Sequence, residues 1–82
     1  MERTENGKKL LDLISDLLDI DADGIDDQTS PSNTSSWDSF TGLMMVTELE
    51  SAFDVKFSMA DVVAVKDVSD IRRCLAKHGV EF

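Results

Sequence analysis

Apolar residues recur at three- and four-residue spacing in several separate stretches of the chain, and each stretch reads as one helix. In the first, Leu10, Leu11, Leu13, Ile14, Leu17 and Leu18 gather on one half of a helical wheel, and Asp12, Ser15, Asp16 and Asp19 take the other. That pattern predicts a core-facing amphipathic helix. It is too short for sustained heptads, and its polar face is acidic rather than basic, which argues against a coiled-coil or membrane-surface role. A second helix is predicted from Ser39 to Phe53, with Gly42, Met45, Val46, Leu49 and Phe53 as its core stripe. Phe40, Met44 and Thr47 lie on another side, with Leu43 between the two faces. An aromatic and a methionine opposite the core stripe of a small chain should be exposed, and exposed apolar residues make a docking surface flanked here by Glu48 and Glu50. The competing reading folds Phe40 back over the preceding loop as a staple.

The remaining elements are shorter. Val55, Lys56 and Phe57 alternate like a strand, but the run is too brief for one and predicts a connector with two buried anchors. Ser58 then caps a short helix, Met59 to Ala64, with Asp61 placed for a capping box. The β-branched Val62, Val63 and Val65 lower its helix propensity, so one or two loosely held turns are expected, at a place where a bundle could open. A last helix should begin at Asp67, bury Val68, Ile71 and Leu75, carry Arg72, Arg73, Lys77 and His78 in its later part, and stop at Gly79. Between the first two helices, residues Gln28 to Ser36 are polar apart from Pro31, a linker composition that cannot bury its own core. The expected architecture is one domain over residues 1–82, an all-α four-helix bundle with a long first loop, a short third helix and a frayed N-terminus over residues 1–8.

Charge narrows the partners. The chain has 82 residues, eight basic and seventeen acidic, for a net charge of −9. Between Asp12 and Asp70 the only basic residues are Lys56 and Lys66, against fourteen acidic ones. Such a surface disfavours nucleic acid and anionic membranes and favours positively charged protein surfaces. The single cysteine, Cys74, has no partner for a disulfide, and no apolar leader or spanning segment is visible, so a monomer in the cytoplasm is expected.

Three places invite chemistry. Asp38 is a good N-cap, and Ser39 sits at the mouth of the second helix, where unpartnered amides and the helix dipole favour an attached anion. Asp19, Asp21, Asp23 and Gly24 reproduce the first half of a calcium loop, but the bidentate Glu position is Ser30 and the following Pro31 opens a loop, so specific calcium binding is not expected. Cys74 and His78 share one helical face, yet two ligands do not make a metal site, and no metal residues are assigned. No base partner, phosphate-cradling loop or nucleophile turn accompanies Ser39, so no enzyme is expected and no catalytic residue is named.

The residues Trp37-Asp38-Ser39-Phe40, followed by Leu43, Leu49-Glu50, Phe53 and Val55-Lys56-Phe57, resemble the acyl carrier protein family, whose hallmark is Asp-Ser-Leu at the start of the second helix of a small acidic bundle. The resemblance covers nearly the whole chain and implies that Ser39 carries 4′-phosphopantetheine, with Asp38 as the adjacent recognition residue. Phe40, Leu43 and Thr47 match the family's apolar recognition positions, and Met44, Glu48 and Glu50 complete the partner face. The implied partners are a phosphopantetheinyl transferase and acyl- or aminoacyl-loading and acyl-transferring enzymes with basic docking surfaces. The implied role is to hold acyl or aminoacyl groups as thioesters, in lipid or secondary-metabolite biosynthesis. Phe40 in place of Leu, Met44 where the family often has an acidic residue, and a polar run where it often has an apolar residue and glycine are departures, and Trp37 takes over the anchoring. Two other roles stay open at this point: an acidic adaptor using Phe40, Leu43 and Met44 without a prosthetic group, and a divalent-ion module built on Asp19 to Asp27.

Overall fold

The first helix starts where Thr4 lets it. The Thr4 hydroxyl accepts a hydrogen bond from the Gly7 amide at 3.0 Å, and α1 runs Glu5–Leu18. The computed structural model describes residues 4–82, so the first three residues of the expected frayed N-terminus lie outside the described residues. For Glu5 to Lys8 that expectation is corrected: Thr4 caps them, Gly7 is buried, and the Asn6 side-chain amide donates to the Glu81 carbonyl at 2.9 Å.

A single 3₁₀ turn, Ala22–Gly24, follows, and then α2 (Ser39–Phe53), α3 (Met59–Ala64) and α4 (Val68–Lys77). The all-helical bundle with a short third helix is the architecture expected from the spacing of apolar residues. Three of its helices end the same way. Asp19 (φ 58°), Asp54 (φ 54°) and Gly79 (φ 96°) each adopt a left-handed conformation just past the helix. The next residue then donates back to a carbonyl five positions earlier: Ile20 to Ser15, Val55 to Glu50 and Val80 to Leu75, at 3.3, 3.1 and 3.0 Å. Ile20, Val55 and Val80 all pack against the core, so each stop also fixes an apolar anchor.

Leu10, Ile14 and Leu18 of α1, Met45 and Leu49 of α2, and Val68, Ile71 and Leu75 of α4 fill the interior, with Ile25 and Trp37 added from the long first loop. Helix α3 gives no apolar side chain to that fully buried set; Met59 and Val63 are 77% and 67% exposed. What α3 buries is Asp61. Its carboxylate closes a capping box with Ser58 and accepts hydrogen bonds from Lys77 Nζ at 2.6 Å and His78 Nε2 at 2.9 Å. The expected loose turn is therefore fastened to α4 by polar groups, an arrangement that spacing of apolar residues cannot reveal. Val55 and Phe57 are half-buried anchors of an irregular connector, as expected.

The loop is the larger correction. Residues 28–36 have a linker's composition, yet the segment is stitched by short-range bonds: Asp26 accepts from the Gln28 amide, Asn33 accepts from Ser30 N and donates to the Gln28 carbonyl, and Trp37 N donates to Thr34 O. Thr29 is buried, and its carbonyl accepts from Val68 N at 3.0 Å while Asp27 O accepts from Ser69 N at 3.1 Å. Asx and hydroxyl side chains thus replace apolar contacts in ordering this stretch. None of the described helices is long and apolar enough to cross a membrane.

Candidate functional site

Asp38 sets the start of α2. Its Oδ1 accepts from Thr41 N at 2.9 Å and its carbonyl from Gly42 N at 2.8 Å, leaving the Ser39 and Phe40 amides without intrahelical acceptors. The Thr41 amide and hydroxyl together hold the Asp38 carboxyl below its ordinary value, so it is an anion at neutral pH. Ser39 occupies the first helical position, is exposed, and its hydroxyl has no hydrogen-bond partner among the described residues. A serine oxygen so placed is open to solvent on one side and backed by positive helix-end amides on the other.

Around it the apolar face stands out from the surface. Phe40 is 71% exposed, Leu43 64% and Met44 41%, while Thr47 and Glu48 are also exposed. Phe40 is therefore not a staple. The residue that does fold back is Trp37, directly before the N-cap. Its indole is 5% exposed and lies against Gly42, where an added Cβ would sit 3.5 Å from Nε1. One expected member of the partner face is reassigned. Glu50 is half-buried, and its Oε2 accepts from the Phe57 amide at 2.8 Å, so its carboxylate orders the connector to α3 rather than standing free for a partner.

Between α2, α3 and the first loop lies an apolar cavity of about 190 Å³, lined among others by Trp37, Leu43, Val46, Phe57, Val62 and Val65. Ser39 belongs to its rim. Sequence reasoning missed this space because its walls come from a loop tryptophan, a connector phenylalanine and two valines that read as poor helix formers.

The other candidate sites behave differently. Gly24 is not in the left-handed region that the sixth position of a calcium loop requires, and Asp19 serves as the stop of α1. Asp19, Asp21 and Asp23 are exposed and do not converge, so the divalent-ion reading finds no built site. Cys74 and His78 do gain a third neighbour, Asp61, with their donor atoms within 4.8 Å of one another. Its oxygens are already engaged by Lys77 and His78, and burial followed by the Asp61 charge pushes the Cys74 thiol up, holding it protonated.

A capped helix thus presents one exposed serine beside an apolar face, with a cavity behind it. The phosphopantetheine attachment-site family matches residues 8–75, and the chain belongs to that family. Its fold is similar to a solved structure described as an acyl carrier protein from Mycobacterium tuberculosis, with a TM-score of 0.77 and 27% identity over 87% of this chain and 95% of that one. No curated protein matches the chain significantly. The prosthetic group is thus a covalently attached 4′-phosphopantetheine, and the adaptor reading without one falls away. The residues at the mouth of α2 fit such a group, because an unbonded hydroxyl faces solvent at the positive end of a helix that has amides to spare.

Proposed function

We propose that Ser39 is the attachment residue and that the protein holds acyl or aminoacyl groups as thioesters, presenting them to partner enzymes in the cytoplasm. The exposed, unbonded Ser39 hydroxyl at the first position of α2 carries this reading. On attachment, the Oγ–P bond forms as a P–O bond in the pyrophosphate of coenzyme A breaks; adenosine bisphosphate leaves, and the serine proton passes to the transferase or to solvent. The arm then supplies the thiol on which cargo is carried. Asp38 holds the N-terminus of α2 in register and marks the serine with negative charge. Phe40, Leu43 and Met44 form the apolar contact face for visiting enzymes, with Thr47 and Glu48 beside them. A net charge of −9 favours partners with basic rims around an apolar centre.

Incubation with coenzyme A and a broad-specificity phosphopantetheinyl transferase, followed by intact mass, tests the assignment. Wild type should gain one arm and Ser39→Ala none. A modified Ser39→Ala protein, or an unmodified wild type, would overturn it.

A further inference from the structure

The Trp37 indole N–H is a polar point in a largely apolar wall, and no protein acceptor meets it among the described residues. Its ring is 95% buried by its 5% exposure, its Nε1 lies 3.5 Å from where a Gly42 Cβ would be, and no hydrogen bond reaches that N–H among the described residues. No buried side-chain nitrogen or oxygen among the described residues lacks a partner, so this N–H keeps an edge open to solvent and is free to donate to a group that enters beside it. This donor also lies close to Ser39. Residues three apart on a helix have Cβ atoms about 5–6 Å apart, so Nε1 lies no more than about 9.5 Å from the Ser39 Cβ. Gly42 keeps the approach clear, since a side chain there would cover the donor.

We propose that Trp37 is a positioning residue for the prosthetic arm: its indole N–H donates to the first hydroxyl or carbonyl beyond the phosphate, while the adjoining geminal methyl groups meet Leu43 and Val46 at the cavity rim. This rests on attachment at Ser39. The reach selects the occupant. A group tethered to Ser39 brings its proximal hydroxyl and carbonyl past the donor, whereas the terminal thioester reaches it only if the whole arm doubles back. The apolar wall suits the methyl pair, and the single donor suits one oxygen. The unloaded arm is therefore held along the groove between α2 and α3 at its root, and the thiol end stays free.

Trp37 is the only tryptophan in the chain, so one indole N–H correlation reports on it without ambiguity. The test compares the ¹⁵N-labelled full chain before and after arm attachment, with intact mass establishing that every molecule is modified. The expected result is a downfield shift of the indole proton and slower exchange with solvent as soon as the unacylated arm is present. An arm shown by mass with an unchanged indole signal overturns the inference and leaves the carrier function standing. No mass gain at all fails the Ser39 assignment instead, and this inference with it. A shift that appears only after the thiol is acylated assigns the donor to cargo and also overturns it. As a second reading, a ¹³C-labelled arm on Trp37→Phe, which keeps the ring and loses the donor, should show its methyl resonances returning to those of free pantetheine. Methyl resonances identical to wild type would mean the N–H holds nothing.

Discussion

Lys77 Nζ in α4 lies 2.6 Å from Asp61 Oδ1 in α3, and this ion pair with the neighbouring His78 contact is what ties the third helix to the fourth. The Lys77 bond, the Ser58 amide and His78, in that order, hold the Asp61 carboxyl well below the usual aspartate range. Asp38 and Asp70 are lowered too, by Thr41 and by Arg73 respectively. Groups with depressed folded values stabilise fully above their unfolded value near 3.8 and lose that contribution as pH falls toward the folded one. Acid unfolding should therefore set in below about pH 4. Asp61→Asn should be less stable than wild type at pH 7, the gap narrowing as the pH is lowered further. Urea midpoints measured from pH 7 down to the acid transition check this; a gap that stays constant would deny the ion pair its role.

Glu50 offers a different balance. Its charge-assisted bond to the Phe57 amide orders the connector, so Glu50→Gln should cost about 1 kcal/mol and Glu50→Ala about 1.5–3 kcal/mol of stability. Equilibrium unfolding in urea reads the loss. If Glu50→Ala is as stable as wild type, the bond is incidental and the residue returns to the partner face.

Two helix stops are occupied by the wrong residue for stability. Asp19 and Asp54 sit at positive φ, where glycine is at ease, and each places a negative charge at the negative end of a helix. Asp19→Gly and Asp54→Gly should each stabilise by about 0.5–1 kcal/mol, raising Tm by roughly 2–8 °C in a domain of this size. Thermal unfolding decides it, and a lower Tm for either variant would show that its carboxylate does more than end a helix.

Phe40→Ala should leave Tm within about 1–2 °C of wild type, because the ring is 71% exposed and surface changes of that kind shift stability little. The same variant should slow arm attachment about tenfold at limiting transferase if the ring supplies about 1.4 kcal/mol of contact. Initial rates followed by mass are the check, and equal rates would remove Phe40 from the docking face.

Gly42→Ala tests local geometry. The added methyl would be 3.5 Å from Trp37 Nε1, an ordinary contact, so the variant should fold and gain about 0.5–1 kcal/mol from helix propensity. A destabilised Gly42→Ala would mean that the Trp37 indole cannot give way at all.

The helical periods, the capping box of Ser58 with Asp61, and the serine at the mouth of α2 were legible because each depends on neighbours within one or two turns. The first loop was not. Its order comes from Asp26, Asn33 and Thr29 bonding to local backbone and to the start of α4, and polar composition alone does not distinguish such a loop from a linker. Its spacing from Ser58 marks Asp61 as a cap, but its second task needs Lys77 and His78 from another helix.

Local sequence thus determined which segments are helical, where α2, α3 and α4 begin, and that Ser39 stands at a helix mouth, since all of these follow from residue spacing and backbone valence. Tertiary structure alone decided that Glu50 turns inward to the Phe57 amide, that the calcium-like aspartates stay apart, and that Trp37 covers a cavity beside Ser39. Those outcomes depend on which surfaces meet across the bundle, and contacts between residues far apart in the chain leave no periodic trace in it.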